Sequence, residues 1–223
     1  MAGFHRTSSE DDVSTLIVGD VHGCADEFRQ LVSLANAETV VLVGDLFTKG
    51  PDPVGVWRTI KETGARAVLG NHDLRLLKAV KKKSKDSHAV SVCAALDKTG
   101  EEWRQWLSSC PLVLPLGQYV VVHAGIHPHL GVSGTTRAMA TTMRHWPMYQ
   151  SDAPKWHEVY DGAEGVVFGH DAKQGLVWKE RQGNPWLVGL DTGCVYGGIL
   201  SGFLLEAQRC IHVEAGDVYC PTQ

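Results

Sequence analysis

Short apolar runs that end in metal-binding side chains recur along this chain and constrain its fold more than any other feature. There are five such transitions: residues 16–18 lead into Asp20 and His22, 40–43 into Asp45, 67–69 into Asn71, His72 and Asp73, 120–122 into His123, and 166–168 into His170. Continuous β-branched runs of this length are typical of buried strands. In α/β proteins the functional residues lie at the carboxyl ends of the strands. We therefore expect the five polar clusters to meet in one cleft.

The first 80 residues predict a βαβαβ unit. Apolar residues recur at helical steps after each of the first two strands. They are Phe28, Leu31, Val32 and Ala35 in the first helix, and Val54, Trp57 and Ile60 in the second, which Gly64 ends. A third helix is predicted from Leu74 to Val80. This alternation favours parallel strand pairing with right-handed crossovers.

The pattern is less regular in the rest of the chain. Residues 81–116 predict a helical insert or lid, and residues 125–162 predict a long loop with short helices. From Val166 onward, closely spaced strands are predicted at 186–190, 198–205 and 210–213. We expect them to form a second, more antiparallel sheet packed on the first. The predicted organisation is a disordered leader at 1–14 and one domain at 15–223.

Composition limits the class of protein. With 223 residues, 43% hydrophobic and 21% charged, the chain is an ordinary globular protein with one sizeable core. No apolar run is long enough to span a membrane, and the polar, acidic N-terminus speaks against a signal peptide. Six cysteines without a CxxC pair favour reduced thiols and a cytoplasmic location. The net charge of -4 does not exclude an anionic substrate, because bound cations would offset it.

The polar residues at the transitions predict a site for two metal ions. The predicted ligands are Asp20, His22, Asp45, Asn71, His123 and His170. Carboxylate, imidazole and amide ligands suit manganese, iron or zinc, and the lack of cysteine argues against a structural zinc site. Asp45 would bridge the ions, with the residues before it on one ion and those after it on the other. Two such ions clamp an in-line displacement at phosphorus. The alternative, buried polar residues without metal, is disfavoured because unpaired carboxylates repel one another.

Five sequence blocks resemble the signature of the calcineurin-like metallophosphoesterases, within the phosphoprotein-phosphatase superfamily. They are Gly19-Asp20-Val21-His22-Gly23, Gly44-Asp45, Gly70-Asn71-His72-Asp73, His123-Ala124-Gly125 and Gly169-His170. The blocks are in the family's order, and the resemblance covers about 15–205. It implies an α/β fold of four layers, in which two mixed β-sheets are flanked by α-helices.

Residues near the ligands indicate the branch of the superfamily. Lys49-Gly50-Pro51, residues 70–74, residues 123–126 and residues 190–198 are similar to bacterial symmetrical diadenosine tetraphosphatases and their ApaH-like relatives. Two arginines of Ser/Thr protein phosphatases are replaced by Lys49 and Leu69, and lysine does not reproduce the bidentate fork of arginine. The bacterial tetraphosphatases have Arg, Trp and Trp where this chain has Lys49, Asp171 and Tyr196. Lys-Gly-Pro is closer to the ApaH-like branch.

The resemblance implies hydrolysis of phosphoanhydride bonds. The expected reaction is symmetrical cleavage of diadenosine tetraphosphate to two ADP by a hydroxide that bridges two ions, with manganese the expected metal in vitro. The partner would be a small polyphosphate or dinucleotide, with no membrane or stable DNA binding. Alternative activities are those of a Ser/Thr-type phosphoprotein phosphatase, an endopolyphosphatase or an RNA-cap pyrophosphatase, which would bind phosphoprotein or capped RNA. A further alternative is a catalytically inactive phosphate or nucleotide sensor.

The resemblance and the local chemistry also suggest individual roles. His72, hydrogen-bonded to Asp73, is the predicted general acid. The predicted substrate-binding residues are Lys49, Arg75, Arg137, Arg144 and Tyr196, and Arg144 is favoured among the three arginines. Trp103 and Trp106 fit core packing better than adenine stacking. For the basic run at 81–85, a solvated helix end is favoured over a polyanion site. His127, His129 and His145 are interpreted as surface or loop histidines rather than metal ligands.

Overall fold

A computed structural model of the chain describes residues 14–81 and 85–221. The predicted leader therefore lies outside the described residues except for Ser14, as do residues 82–84 of the basic run. Within the described ranges, no helix has the length and apolar character needed to cross a bilayer.

Strands and α-helices alternate at first and then separate into a helical stretch and a strand-rich stretch. The strands are β1 (Thr15–Val18), β2 (Thr39–Leu42), β3 (Arg66–Ala67), β4 (Val113–Leu116), β5 (Tyr119–Val122), β6 (Gly165–Phe168), β7 (Val177–Arg181), β8 (Asn184–Gly189), β9 (Ile199–Leu204) and β10 (Arg209–Glu214). The α-helices are α1 (Ala25–Ala35), α2 (Pro53–Thr63), α3 (Asn71–Lys81), α4 (Ser87–Asp97), α5 (Glu102–Ser109) and α6 (Arg137–Thr142).

The strands form two mixed sheets of five strands each. The first has the order β10-β9-β1-β2-β3, in which β1, β2 and β3 are parallel and β9 and β10 are joined antiparallel beside β1. The second has the order β4-β5-β6-β8-β7, in which β5, β6 and β8 are parallel and the outer strands are antiparallel. The predicted mixed sheets and the parallel βαβαβ unit are confirmed. Each sheet thus has a parallel core of three strands.

Alternating side chains of β1 show why four layers form. Ile17 points between the two sheets and packs with Val121 and Val167 of the second sheet. Leu16 and Val18, on the opposite face, pack under the helices that cover the first sheet. Because both faces are buried, β1 is apolar from Leu16 to Val18, and each of these side chains contributes about 1.5–3 kcal/mol on burial. A third apolar cluster packs α6 and the neighbouring loops on the outer face of the second sheet.

The predicted lid is instead part of the core. Its residues form α4, α5 and strand β4. The side chains of Leu96, Trp103 and Leu107 are fully buried in the same apolar cluster as the helices that cover the first sheet. The helical character predicted for this stretch agrees with α4 and α5, whereas the buried side chains contradict the alternative of a lid. Helical periodicity shows which face of a helix is apolar but not where that face packs. The core reading of Trp103 is confirmed, and its indole N–H donates to Asp97.

The C-terminal strands do not form a sheet of their own, which corrects the sequence-based expectation. β8 pairs parallel with β6 in the second sheet, whereas β9 and β10 extend the first sheet beside β1. β7 was not predicted. Strand alternation identifies a buried strand but not its neighbours, and this is why the sheet assignment failed. The third helix also starts earlier than predicted, at Asn71, so His72 and Asp73 lie in its first turn.

We predict that Leu107→Ala destabilises the protein by about 2–5 kcal/mol, because it leaves a cavity where α5 packs in the core. Urea unfolding of the purified chain would measure the change. Leu34→Ala is the matched control, because Leu34 is 61% exposed, and a change within about 0.5 kcal/mol is expected there. Equal stability of the two variants would contradict the assignment of α5 to the core.

Candidate active site

Six strands, three from each sheet, deliver polar residues to the same place. The loops after β1, β2, β3, β5 and β6 carry the predicted site residues, and the loop after β8 adds Asp191. The polar residues after five of these strands were predicted to converge, and the structure brings them together in one depression. We call this depression the cleft; it has a volume of about 930 Å³.

The cleft contains one group formed by Asp20, His22 and Asp45. Their ligand-type atoms all lie within 4.8 Å of one another, and all three side chains are buried. Nε2 of His22 lies 3.5 Å from Oδ2 of Asp45. Asp20 accepts the backbone N–H of His170 at 3.1 Å, which connects the loops after β1 and β6.

A second group formed by Asn71, His123 and His170 lies on the other side of Asp45. The amide oxygen of Asn71 lies 3.0 Å from Nε2 of His123 and 3.1 Å from Nδ1 of His170. Oδ1 of Asp45 is 3.5 Å from Nε2 of His123, while its Oδ2 faces His22. Asp45 therefore contacts both groups, one with each carboxylate oxygen.

Two ring nitrogens of this group, Nε2 of His123 and Nε2 of His170, receive no hydrogen bond from a donor group among the described residues. Nδ1 of His123 lies 2.9 Å from the carbonyl oxygen of Val43 and must donate to it. Burial lowers the pKa of His123 to about 4, so the ring is neutral and its Nε2 carries a lone pair that faces the Asn71 oxygen. Nε2 of His170 is buried without a hydrogen-bond partner among the described residues. Converging lone pairs of this kind are the arrangement that a cation stabilises.

Buried carboxylates dominate the electrostatics of the cleft. Burial raises the pKa of Asp20 well above its usual range, and repulsion from Asp191 and Asp45 adds to the effect. Burial likewise raises the pKa values of Asp45 and Asp191 to about 6. Each of these carboxylates is costly to ionise without a nearby cation. The arrangement thus favours positive charge in the cleft.

Several site residues have a left-handed backbone. His22, Asp45, Lys49 and His170 have φ values of 46°, 55°, 72° and 74°. Such conformations cost about 1–3 kcal/mol each and persist only where the surroundings enforce them. Two of the neighbouring glycines are needed for space rather than for angle: a Cβ at Gly70 would collide with Asp45, and one at Gly169 would collide with Asp20.

Asp73 does not have the predicted role beside His72. Its carboxylate is fully buried and accepts backbone N–H groups from Asp45, Leu46 and Gly70 at 2.8, 3.1 and 2.9 Å. Asp73 therefore ties the loop after β2 to the loop after β3. His72 lines the cleft, its backbone N–H donates to Oδ1 of Asp45, and its ring lies edge-on to His22 at 5.1 Å. The correction follows from the helical conformation of this segment, in which adjacent side chains diverge.

Lys49 and Tyr196 form one wall of the cleft. The ammonium group of Lys49 donates to the Tyr196 hydroxyl at 2.8 Å and to Nε2 of His22 at 2.9 Å. Helix α4 stabilises the left-handed backbone of Lys49, because the backbone N–H of Lys49 donates to Nε2 of His88 in α4 at 2.8 Å. His88 was not predicted, since nothing local in the sequence connects it with residue 49.

Two of the three candidate arginines lie in the cleft. Arg75 and Arg144 line the cleft, and Arg144 contacts Asp171 and the carbonyl oxygen of His170. Arg137 is exposed at the start of α6 and does not line the cleft, which corrects the prediction that it is a candidate clamp. Lys155 and His145 also line the cleft. His145 had been interpreted as a surface or loop histidine rather than a ligand, and Lys155 had not been singled out from the sequence.

Asp191 is the site residue that sequence reasoning should have found. It follows the apolar strand β8 in the same way that Asp45 follows β2, it is buried, and it lines the cleft. The strand-to-acid pattern that identified the other residues is present at Val188-Gly189-Leu190-Asp191. By contrast, His88 reaches the site from helix α4 and Lys155 from a loop, and neither follows an apolar strand.

Comparison with known proteins agrees with this geometry. The family described as calcineurin-like phosphoesterase matches residues 13–174. The chain belongs to this family. It is thus a metal-dependent phosphoesterase, and the resemblance stated from the sequence blocks is confirmed.

Relatives of this phosphoesterase share a name. A protein of Vibrio parahaemolyticus named bis(5'-nucleosyl)-tetraphosphatase, symmetrical, is 27% identical over 278 residues, which cover 92% of this chain and all of the relative. A protein of the same name from Glaesserella parasuis is 40% identical over 137 residues, covering 55% of this chain and 48% of that protein. The first alignment is longer than this chain, so the Vibrio protein contains segments that the chain lacks.

Solved structures support the fold. A crystal structure described as a "putative diadenosine tetraphosphatase" superposes with a TM-score of 0.78 at 34% identity, covering 94% of this chain and 97% of that one. A metallophosphoesterase from Sphaerobacter thermophilus superposes with a TM-score of 0.58 at 15% identity, covering 92% and 89%. The second similarity concerns the fold alone.

We predict that His88→Ala lowers kcat/KM roughly three- to tenfold, because the backbone N–H of Lys49 loses its acceptor and the ammonium group is no longer positioned. His88→Gln, whose side-chain oxygen can still accept, should restore most of the activity. In a Lys49→Met background, His88→Ala should have little further effect. Additive losses in the double variant would show that His88 acts through something other than Lys49.

Proposed function

We propose that this phosphoesterase hydrolyses phosphoanhydride bonds in dinucleoside polyphosphates, splitting diadenosine tetraphosphate into two ADP. The observation that carries the proposal is the composition of the cleft: five cationic side chains line it beside the acid, amide and imidazole groups. These are Lys49, Arg75, Arg144, Lys155 and Lys173. So many cations suit a substrate with several phosphates. The names of the relatives support the same substrate class.

Two divalent cations would be held by the six residues that the strands bring together. We assign Asp20 and His22 to the first ion, Asn71, His123 and His170 to the second, and Asp45 to both. The donor set fits, because the free Nε2 of His170 and the facing lone pairs of His123 and Asn71 lack a positive partner. We add Asp191 to the proposed metal-binding residues, because it lines the cleft and its charge acts on Asp20. Such ions lower the pKa of water and withdraw charge from phosphoryl oxygens; manganese, iron and zinc suit these ligands.

The chain's own residues would orient the phosphates. Lys49 already donates to His22 and Tyr196, so its ammonium group is held at the rim of the ligand cluster, where a non-bridging phosphate oxygen would replace these acceptors. Arg75 and Arg144, which also line the cleft, would bind further phosphate oxygens with their planar guanidinium groups. Arg137 has no part in this proposal.

His72 would donate a proton to the leaving oxygen. Burial, together with Lys49 and Arg75, lowers the pKa of His72 to about 3 in the absence of substrate. A bound polyphosphate would offset the effect of both cations and so raise that pKa. Asp73 would support catalysis only by fixing the backbone around Asp45.

We also propose a reducing, cytoplasmic environment. The six cysteines are free in the structure, and Cys24 and Cys194 are buried without a disulfide. Phosphoprotein, inorganic polyphosphate and capped RNA remain alternative substrates, and a direct assay separates them from the dinucleotide.

The proposed function predicts that the manganese-loaded protein converts diadenosine tetraphosphate to ADP alone, which chromatography of the products would detect. Chelation of the metal should abolish the reaction, and Asp45→Asn should reduce it by at least a hundredfold, because both ligand groups depend on this carboxylate. Arg137→Ala, outside the cleft, is the matched control and should retain activity. Formation of ATP and AMP would contradict symmetrical cleavage, and turnover of phosphopeptide or capped RNA alone would contradict the substrate class.

The acid role predicts a substrate-dependent effect of His72→Asn. ADP is a good leaving group and needs less protonation than an alkoxide. The loss of activity caused by His72→Asn should therefore be roughly tenfold or more greater for an alkyl phosphate monoester than for the anhydride. The measurement is kcat/KM for both substrates with the same metal-loaded preparation. Equal losses on the two substrates would rule out His72 as the general acid.

A further inference from the structure

One wall of the cleft is built by a pair of loop segments that no periodic pattern predicts. His145 and Lys155 form an isolated antiparallel bridge, and backbone N–H groups of Trp146 and Trp156 donate to the carbonyl oxygens of Pro154 and Arg144 at 2.9 and 3.1 Å. This places Arg144 and Lys155 side by side. The two cations are therefore neighbours on a hydrogen-bonded platform rather than on free loops.

The platform is fixed to the core by Trp156. Its side chain is 1% exposed, and its ring packs edge-on against Phe168, at the end of β6, with centroids 5.0 Å apart. A Cβ at Gly125 would collide with the same indole, so Trp156 also fills the space beside the loop after β5. The residue next to Lys155 is thus locked between the two strand ends that carry His123 and His170.

Asp171 holds the two cations towards the cleft. Its carboxylate, 9% exposed, accepts from the ammonium group of Lys155 at 2.7 Å and lies 3.4 Å from Nε of Arg144. Gln174 donates to the same carboxylate at 2.8 Å. Two positive charges share one negative charge, so this wall keeps a net positive charge. Among the described residues the ammonium group of Lys155 has one hydrogen-bond partner, whereas it can donate three hydrogen bonds.

This wall begins directly beside the ligand cluster. Asp171 follows His170 in the chain, and the guanidinium of Arg144 also donates to the carbonyl oxygen of His170 at 3.4 Å. Lys49 and Tyr196 lie at the other end of the cluster, on the His22 side. A phosphate at the cluster thus has one cationic wall on either side.

We propose that Lys155 and Arg144, positioned by Asp171, form a separate anion-binding subsite for phosphates beyond the one that is attacked. The occupant is a linear chain of three or more phosphates, as in a dinucleoside polyphosphate, and this refinement rests on the proposed function. A phosphate monoester presents a single phosphoryl group, which the ligand cluster and Lys49 accommodate by themselves. Lys155 is therefore a specificity residue for long phosphate chains.

The test compares Lys155→Met with the wild type on a long and a short substrate. With the manganese-loaded enzyme, KM for diadenosine tetraphosphate should rise roughly five- to tenfold, while kinetics on p-nitrophenyl phosphate change less than twofold. Lys155→Arg should restore the low KM, because it retains the charge. Lys85→Met is the control, since it removes the same charge from an exposed position outside the cleft, and neither substrate should be affected.

Equilibrium binding of inorganic tripolyphosphate to the metal-free protein gives a readout that does not need turnover. Lys155→Met should weaken tripolyphosphate binding roughly fivefold and leave orthophosphate binding unchanged. Unchanged tripolyphosphate binding, or equal losses of activity on both substrates, would overturn the subsite. If the wild type failed to cleave diadenosine tetraphosphate but the tripolyphosphate result held, the proposed function would fail while the subsite would stand.

Discussion

Mutual repulsion among buried carboxylates is the constraint on which this structure depends. Asp20, Asp45 and Asp191 lie at the ends of three strands and face one another away from water, so burial raises the pKa of each. A fold that concentrates acids in this way is stable only if cations or hydrogen-bond donors compensate them. The parallel strands in each sheet supply the positions, and the surrounding loops supply the donors. The chemistry follows from this arrangement, because the same unbalanced charge that is costly for folding attracts metal ions.

The rigidity of the site comes from contacts that have no direct chemical role. Asp73 accepts three backbone N–H groups and so joins the loops after β2 and β3, and the backbone N–H of His170 is bound by Asp20 from the loop after β1. These links maintain the left-handed backbone of Asp45 and His170, a conformation that neither would adopt alone. The side chains of the cleft are therefore positioned by hydrogen bonds between the loops at the strand ends. Gly70 and Gly169 are required because a side chain there would collide with Asp45 and Asp20, respectively.

Strand-end chemistry could be predicted from the sequence because a buried strand and the acid after it form one local signal. That signal placed Asp45 correctly in the cleft and also marks Asp191, which lies in the block at 190–198 that was singled out from the sequence but was not predicted to be a ligand. The helical character of residues 81–116 was predicted, but an apolar helix face does not reveal its partner, so the sequence could not decide between an insert and a lid. Arg144 was favoured over Arg137 from the sequence, and the structure supports that choice, because Arg144 lines the cleft and contacts Asp171 whereas Arg137 does not line it. Contacts such as the one between Arg144 and Asp171 depend on how loops far apart in the sequence pack together.

The division between strands and loops also explains how one catalytic centre can serve different substrates. The predicted ligands follow strands of the two sheets, whereas the cationic walls are held by residues outside the strands, such as His88 in α4 and Lys155 in the loop region between β5 and β6. Changes in these segments alter which phosphates are held without disturbing the buried carboxylates. Substrate preference can therefore be altered at the walls of the cleft while the residues around Asp45 keep their positions.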